Sequence, residues 1–282
     1  MDGFLFIDKP VGMTSHDVVA KVKRKFKLDK IGHTGTLDPF ASGLLILCLG
    51  RATKLAYLFS DLDKDYEGVI IFGKHYDTYD VTGKVVQTSH PSLGEAQIKM
   101  MMQSFIGTYN QVPPMYSALK VDGKKLYEMA RRGEEIEREA REVSIYSFEM
   151  VSSYQNQSFK FKTSVSKGTY IRSLAVDLAN KLDTFGALSE LRRTRVGDYN
   201  LKIAKRIEDV TLNDVYQLDE YLKNMTSITL NDYMVKLVKN GVYLDERQIK
   251  TDSPFIVKDE KGNMIAYYTV NEGYTYRPVV IF

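Results

Sequence analysis

The sequence predicts a globular protein that contains both helices and strands and ends in a small β-rich unit. Segments rich in β-branched and aromatic residues, such as KDYEGVIIFG at 64–73, are typical of strands. Apolar residues at helical spacing, as in residues 18–26, predict amphipathic helices between them. From about Tyr233 the pattern changes to short β-like pieces on both sides of a Lys-Gly-Asn turn at 261–263. The 282 residues therefore suggest one large domain with a small appendage.

Composition narrows the class of protein. The hydrophobic fraction of 44% and the charged fraction of 27% are ordinary for a globular protein that can bury a sizeable core. No apolar run approaches the length of a membrane span, and the opening residues MDGF lack the basic start of a signal peptide. The single cysteine excludes an intrachain disulfide, which fits a reducing compartment, so we expect a cytoplasmic protein. The four histidines are scattered without metal-ligand spacing, so no structural metal is expected.

The net charge of +3 is too small to predict nucleic-acid binding by itself, but its distribution is uneven. Basic residues crowd the segments 21–30 and 192–206, the second of which contains Arg192 and Arg193. Clusters of this kind could neutralise phosphates. A solvated helix face explains either cluster equally well when it is taken alone.

The stretch from Gly32 to Leu47 organises the chain, and it reads GHTGTLDPFASG followed by LLIL. Its glycines, proline and small hydroxyl residues predict a loop whose backbone can approach a ligand closely. Asp38 lies in the middle of this loop, and its backbone is restricted to extended conformations because Pro39 follows. The apolar run after the loop predicts a buried strand that anchors it. The glycine spacing fits neither a phosphate loop nor a dinucleotide-binding fingerprint, and a lone Asp-Pro would indicate only a turn.

The whole string resembles the signature GHxGTLDPxAxGxL of the TruB family of tRNA pseudouridine synthases, in which the aspartate is the catalytic residue. Five further blocks resemble other motifs of that family in the same order, and the match covers roughly residues 4–194. Tyr76 departs from the family pattern, which usually has threonine at that position. The five blocks are KPVGMTS at 9–15, YDTYDVTG at 76–83, QVPPMYSALK at 111–120, SKGTYIRSL at 166–174 and LRRT at 191–194.

This resemblance implies an α+β protein with the pseudouridine synthase fold, in which flanking helices pack on a mixed, mostly antiparallel central sheet. The implied catalytic domain covers residues 1–230 and includes a thumb-like RNA-binding insertion at about 108–142. Residues 231–282 resemble, more weakly, the small β-rich PUA-like C-terminal domain that many family members carry. Since the chemical motifs end at Thr194, we expect this C-terminal unit to be separable from the catalytic domain.

The resemblance also implies a reaction, the isomerisation of the T-loop uridine at position 55 of tRNA to pseudouridine. The N1–C1′ bond breaks, the flipped-out base rotates, and C5 bonds to C1′. Asp38 matches the family's nucleophile, with both C6 of the base and C1′ of the ribose open as the point of attack. Tyr66 matches the tyrosine that stacks on the target base. Arg172 is predicted near a helix N-terminus, where the helix dipole disfavours a cation, and the matching arginine of the family pairs with the catalytic aspartate.

The same motifs imply a set of substrate-binding residues around these three catalytic ones. Leu191 matches the leucine that packs beside the target base, and His33 could help to splay the T-loop. A hydrogen-bonded loop histidine explains His33 equally well. The implied substrate-binding residues are His33, Lys9, Pro10, Asp80, Tyr170, Leu191, Arg192 and Arg193.

The expected partner is tRNA, bound through its T-arm stem-loop, by a monomer that needs no cofactor, guide RNA or membrane. No cofactor is required because the isomerisation involves neither redox nor group transfer. One alternative is a non-catalytic T-arm binding protein or tRNA folding factor on the same scaffold. A second is the archaeal–eukaryotic relative that works with a guide RNA. The joint presence of Asp38, Tyr66 and Arg172 argues against the first alternative, because a pure binder needs none of the three.

Overall fold

The computed structural model describes residues 1–121 and 123–282. No helix in these ranges is both long enough and apolar enough to cross a bilayer. Three short 3₁₀ helices cover Gly50–Leu55, Leu201–Ile203 and Leu212–Asp214. The α-helices are α1 (Ser15–Phe26), α2 (Tyr57–Ser60), α3 (Glu95–Gln103), α4 (Leu126–Arg131), α5 (Ile171–Lys181), α6 (Leu218–Leu222) and α7 (Asp232–Lys239). The strands are β1 (Gly3–Lys9), β2 (Ile31–His33), β3 (Ser42–Leu49), β4 (Lys64–Phe72), β5 (Lys74–Tyr76), β6 (Val85–Thr88), β7 (Gly107–Gln111), β8 (Lys120–Val121), β9 (Lys124–Lys125), β10 (Arg141–Met150), β11 (Ser158–Val165), β12 (Gly186–Val196), β13 (Tyr199–Asn200), β14 (Tyr216–Gln217), β15 (Ser227–Thr229), β16 (Phe255–Lys258), β17 (Met264–Glu272) and β18 (Thr275–Ile281).

A ten-stranded sheet forms the centre of the molecule, with the strand order β14-β1-β3-β12-β4-β11-β10-β7. Two short strands join it at the side, β2 beside β3 and β13 beside β12. The β3–β12 pair is parallel, and the other described pairs of this sheet are antiparallel. The expected mixed, mostly antiparallel sheet is therefore confirmed.

The parallel contact between β3 and β12 requires a glycine. Gly43 has φ +104°, and a Cβ atom there would lie 2.2 Å from the carbonyl oxygen of Arg193. A Cβ atom cannot lie that close to an oxygen atom, and a positive φ also disfavours every residue other than glycine. Gly43 therefore lets the end of the Asp38 loop lie directly against β12.

Strand β3 is buried on both faces, which explains its continuous apolar sequence. Leu45 and Leu47 face a core that contains apolar residues of α1 and α5. Leu44 and Ile46 face a second core on the other side of the sheet. Cys48 lies in that second core, and burial raises the pKa of its thiol to about 12, so it is an inert apolar residue.

The C-terminal unit is a four-stranded sheet with the order β15-β16-β17-β18, and α7 packs on it. The predicted β-rich C-terminal domain is therefore confirmed. Ile256, Tyr267 and Val280 of this sheet belong to the same apolar core as Phe4 and Leu44 of the central sheet. Since β15 pairs with β16 and precedes residue 230, we propose a domain boundary near residue 226. The two units share a core, so they are less separable than the sequence suggests.

The loop that carries Asp38 is anchored by the first turn of α1. The position of Ser15 before the helical pattern suggests an N-cap, but the N-cap is Thr14, which forms a capping box with Asp17. Ser15 instead binds the Asp38 loop: its Oγ accepts from the amide of Leu37 at 2.8 Å and donates to the Leu37 carbonyl at 3.1 Å. These two buried hydrogen bonds hold Leu37, the residue before Asp38, in one position.

Candidate active site

A cavity of about 280 Å³ lies where the Asp38 loop, the start of β4, the N-terminus of α5 and the segment around Ser117 meet. Its walls include Asp38, Tyr66 and Arg172, the three residues that the sequence assigns to catalysis. Tyr170 and Leu191, two of the predicted substrate contacts, also line it. With Leu191 of β12, the fold thus gathers residues from five distant parts of the chain around one small volume.

Asp38 and Arg172 form an ion pair in this cavity, with Arg172 Nε 2.9 Å from Asp38 Oδ2. The arginine side chain is 5% exposed, whereas the carboxylate keeps 34% exposure and faces the cavity. Burial raises the pKa of Asp38, the charge of Arg172 opposes that shift, and the nearby Asp80 adds to it. The arginine therefore helps to keep a partly buried carboxylate ionised and accessible.

Arg172 occupies the first turn of α5, where the helix dipole is unfavourable for a cation. Two acceptors besides Asp38 offset this cost. Its Nη1 donates to the carbonyl of Thr78 at 2.8 Å, and its Nη2 donates to the carbonyl of Tyr116 at 2.7 Å. The guanidinium thereby fixes the Asp38 loop, the 76–83 turn and the 111–120 segment relative to one another.

Asp80 is 3% exposed and lies behind Arg172, with Oδ2 3.6 Å from Nη1. Its Oδ1 accepts from the amide of Thr82 at 2.9 Å, so the carboxylate is held within its own turn. Tyr76, where the family usually has threonine, is buried and accepts from the amide of Tyr79 through its carbonyl. With tyrosine at position 76, the turn therefore still forms its internal hydrogen bond and still places Asp80 beside Arg172.

Two residues predicted to contact substrate are structural. Lys9 is fully buried, and its Nζ donates to the carbonyls of Pro10 at 2.9 Å and Ala41 at 2.7 Å. Burial lowers the pKa of Lys9 to about 8, an effect that the charge of Asp38 opposes. Arg193 is 2% exposed, and it donates to the carbonyls of Leu44 at 2.8 Å and Gly35 at 3.2 Å. Arg193 also lines the cavity, but its guanidinium is buried and bound to these two carbonyls, so it supports the Asp38 loop and is not available to a phosphate at the surface.

Pro10, Arg192 and His33 are not among the described residues that line this cavity. Pro10 is exposed, and Arg192 pairs with Asp8 at 2.7 Å while keeping part of its side chain exposed. His33 lies on β2, and its buried Nδ1 makes no hydrogen bond to the described residues. Burial, and then the charge of Arg193, lower the pKa of His33, so its imidazole is neutral at pH 7.

Two residues of the site, Gln111 and Lys64, were not predicted from the sequence, which gives only their position in or beside a block that resembles a family motif. The side-chain amide of Gln111 bonds the backbone of Tyr170 twice, accepting from its amide at 2.7 Å and donating to its carbonyl at 3.1 Å. This pairing fixes the residue that caps α5 and hence the start of the helix that carries Arg172. Lys64 lines the cavity, and burial lowers the pKa of its ammonium group to about 8. The contact of Gln111 with Tyr170 and the position of Lys64 in the cavity both depend on residues far away in the sequence, so local sequence patterns do not predict them.

Within the part of the chain that the structure describes, no group of three or more His, Cys, Asp or Glu side chains is placed to hold a metal ion. The side chains that line the cavity offer a carboxylate, a guanidinium, the ammonium group of Lys64, hydroxyl groups and an aromatic ring. Such a set can carry out nucleophilic or proton-transfer chemistry on a small flat group.

Family models match most of the chain. Residues 23–171 match the TruB family pseudouridylate synthase N-terminal domain, and residues 172–239 match the tRNA pseudouridylate synthase B C-terminal domain. A protein of Onion yellows phytoplasma named tRNA pseudouridine synthase B is 50% identical over 283 residues, covering 100% of both chains. The protein of the same name in Acholeplasma laidlawii is 51% identical over 270 residues, covering 95% of both chains.

A structural comparison agrees with these sequence relationships. The Cbf5 chain in a crystal structure of a Cbf5-Nop10-Gar1 complex superposes with a TM-score of 0.69 at 25% identity, over 96% of this chain and 79% of that one. The pseudouridine synthase fold expected from the sequence is thereby confirmed. With identities of 50% over the full length and two family domains in sequence, the chain belongs to the TruB family of pseudouridylate synthases and is a pseudouridine synthase enzyme.

Proposed function

We propose that the protein isomerises the T-loop uridine at position 55 of tRNA to pseudouridine, with Asp38 as the nucleophile. The observation that carries this proposal is the Asp38–Arg172 ion pair, which opens into a cavity beside the ring of Tyr66. The names of the relatives, which call them tRNA pseudouridine synthases, support tRNA as the substrate.

The cavity is small, at about 280 Å³, so the target base has to leave its stack to enter it. Extracting a base costs on the order of a few kcal/mol. Tyr66 can return part of this cost by stacking, at roughly 1–3 kcal/mol per base. Leu191 on the adjacent β12 adds an apolar contact at the same wall. The proposed binding mode therefore stacks the uracil on Tyr66, next to Leu191, with its reactive edge toward Asp38.

The reaction then needs an ionised Asp38 at the start of the covalent step. The carboxylate attacks the nucleotide, and the N1–C1′ bond breaks with its electron pair on the base. The base rotates and C5 bonds to C1′, while the bond to Asp38 breaks and returns the free carboxylate. The proton on C5 then leaves to solvent or to a basic side chain, and N1 takes up a proton. Arg172 holds one carboxylate oxygen through Nε, so it orients Asp38 while leaving the exposed part of the carboxylate free to react.

Tritium release is the direct test of this proposal. Transfer RNA labelled with 5-³H-uridine is incubated with the protein alone, and release is expected to follow the single T-loop site without any guide RNA. Tight binding without release would identify a T-arm binding protein instead. Release that requires an added guide RNA would favour the guide-dependent relatives.

Tyr66→Phe is expected to bind tRNA nearly normally but to lose most turnover. The phenylalanine ring can still stack, whereas the hydroxyl that faces the reacting base is gone. Single-turnover rates and filter binding on T-arm RNA separate the two effects, and Tyr233→Phe, at an exposed tyrosine of α7, is the matched control. A Phe variant with full activity would reduce Tyr66 to a stacking surface.

The pH dependence of kcat/KM should have an acid limb set by Asp38. Burial raises the pKa of this carboxyl above its ordinary value of 3.8, so activity should fall on acidification at a higher pH than an exposed aspartate would give. Arg172→Lys keeps a cation but loses the fork that reaches Asp38, Thr78 and Tyr116. We expect its acid limb to move to still higher pH, because the ionised carboxylate is less stabilised.

The control for this experiment is Arg51→Lys, at a surface arginine that pairs with Asp2. Its pH profile should match that of the unmodified protein. An acid limb that stays in place in Arg172→Lys would mean that another group limits the reaction at low pH.

A further inference from the structure

Ser117 has a buried hydroxyl whose bonding is incomplete. The residue is 5% exposed, and it lines the same cavity as Asp38, Tyr66 and Arg172. Its Oγ makes no hydrogen bond to any described residue. Buried polar side chains in folded proteins almost always have a partner, and those that do not require an explanation. Because Ser117 lines the cavity, a bound substrate can supply the missing hydrogen bond.

The backbone around Ser117 is held firmly, so the unsatisfied hydroxyl does not reflect a loose loop. The Ser117 amide donates to the carbonyl of Met115 at 2.9 Å, and its carbonyl accepts from the amide of Tyr127 at 3.1 Å. The carbonyl of the preceding residue, Tyr116, accepts from Nη2 of Arg172 at 2.7 Å. The same guanidinium that grips Asp38 thus fixes the position of the serine relative to the nucleophile.

The phenol of Tyr170 is the polar group beside this hydroxyl. Burial raises the pKa of Tyr170, and the neighbouring Ser117 opposes that rise, although the two groups do not meet at hydrogen-bonding geometry. A phenol with a raised pKa stays protonated, so it can donate to the serine oxygen when a base is bound. The serine proton then remains available for an acceptor in the cavity.

We propose that the Ser117 hydroxyl donates a hydrogen bond to a carbonyl oxygen of the flipped-out uracil. This inference rests on the proposed function and assigns a further substrate contact within it. Uracil carries carbonyl oxygens at C2 and C4, one on each side of N3–H. The stacking wall of Tyr66 fixes the plane of the ring, and a donor at its edge fixes the ring's rotation within that plane.

The chemistry of the isomerisation gives such a donor a second use. Turning the base by half a revolution about the line through N3 and C6 exchanges N1 with C5, which is the change the reaction requires. The same turn exchanges C2 with C4, so one carbonyl oxygen replaces the other at the same place. A hydroxyl fixed at that place therefore binds the base before and after rotation, and it favours uracil over cytosine, which has an amino group at C4.

The test combines a change in the protein with a change in the base, as in a double-mutant cycle. Ser117→Ala, Ser117→Thr and the unmodified protein are assayed in single turnover on T-arm RNA whose target is uridine, 2-thiouridine or 4-thiouridine. Sulfur accepts hydrogen bonds poorly, so each thio substitution weakens one carbonyl contact. Ser153→Ala, at an exposed serine between β10 and β11, is the matched control.

On uridine, Ser117→Ala is expected to lower kcat/KM roughly tenfold, whereas Ser117→Thr, which keeps a hydroxyl, retains most activity. On at least one thio substrate, the unmodified protein should react more slowly than it does on uridine. On that same substrate, Ser117→Ala should react no more slowly than the unmodified protein. The thermal midpoint of Ser117→Ala should equal that of the unmodified protein, because no protein contact is lost.

Two results would overturn the proposal. One is full activity of Ser117→Ala on uridine. The other is a loss that is equal on all three substrates and accompanied by a lower thermal midpoint, which would make Ser117 a packing residue. If the unmodified protein leaves the T-arm uridine unchanged, the proposed function fails instead, so the two failures are distinguishable.

Discussion

Asp38→Asn is expected to abolish pseudouridine formation while leaving tRNA affinity within roughly a few-fold of normal. The amide keeps the shape of the carboxylate and the turn preference before Pro39, so the loop should retain its conformation. It has no negative charge and is a far poorer nucleophile. The rate is therefore expected to fall by roughly 10⁴-fold or more, the scale seen when a nucleophile is removed.

Single-turnover pseudouridine formation on T-arm RNA measures this loss, and filter binding with the same RNA measures affinity. Asp29→Asn, at an exposed aspartate after α1, is the control for the general effect of removing one carboxylate. Circular dichroism checks that the variant is folded, since Arg172 loses one of its two carboxylate neighbours. A variant that turns over at a near-normal rate would exclude Asp38 as the nucleophile.

Deleting residues 227–282 is expected to destabilise the catalytic domain severely. Ile256, Tyr267 and Val280 leave the core that they share with Phe4 and Leu44, and the exposed face of β1 and β3 then meets water. Burial of one large apolar side chain is worth about 1.5–3 kcal/mol, so three of them contribute roughly 5–9 kcal/mol. A whole domain is stable by only about 5–15 kcal/mol.

Urea unfolding followed by circular dichroism measures this effect on the truncated and full-length proteins. Tyr267→Ala in the full chain should reproduce part of the loss, by about 3–5 kcal/mol for a buried aromatic side chain. Tyr243→Ala, at a tyrosine that is largely exposed, should change stability little. A truncated protein with normal stability and normal activity on a T-arm stem-loop would restore the separable domain that the sequence suggests.

Local patterns in the sequence predict the elements of this fold well. The alternation of Phe159 and Phe161 with lysines predicts β11, and the Lys-Gly-Asn turn at 261–263 predicts the β16–β17 hairpin. The apolar run that became β3 was correctly assigned as buried. These features depend on neighbouring residues only, which is why the sequence carries them.

The assignment of the site from sequence depends on the resemblance, and it fails where a side chain is used by a distant part of the chain. Lys9 and Arg193 were expected to face substrate, yet both bind carbonyl groups of the segments that flank Asp38. The antiparallel pairing of β1 with β3 brings Lys9 to Ala41. The parallel pairing of β3 with β12 brings Arg193 to Leu44, and it joins segments about 150 residues apart. The sequence gives no signal for the role proposed for Ser117 either, since whether a hydroxyl has a hydrogen-bond partner depends on three-dimensional packing.

The contact between distant parts of the chain has a consequence for how the protein folds. Arg51 binds Asp2 and also donates to the carbonyl of Ile281 at 3.3 Å, and Phe4 of β1 shares a core with Tyr267 of β17 and Val280 of β18. Because contacts of such long sequence separation form slowly, we expect the part of this core that β17 and β18 supply to form late in folding. An intermediate that lacks these two strands would leave apolar side chains of β1 and β3 less covered than in the folded protein, and it would be prone to aggregate.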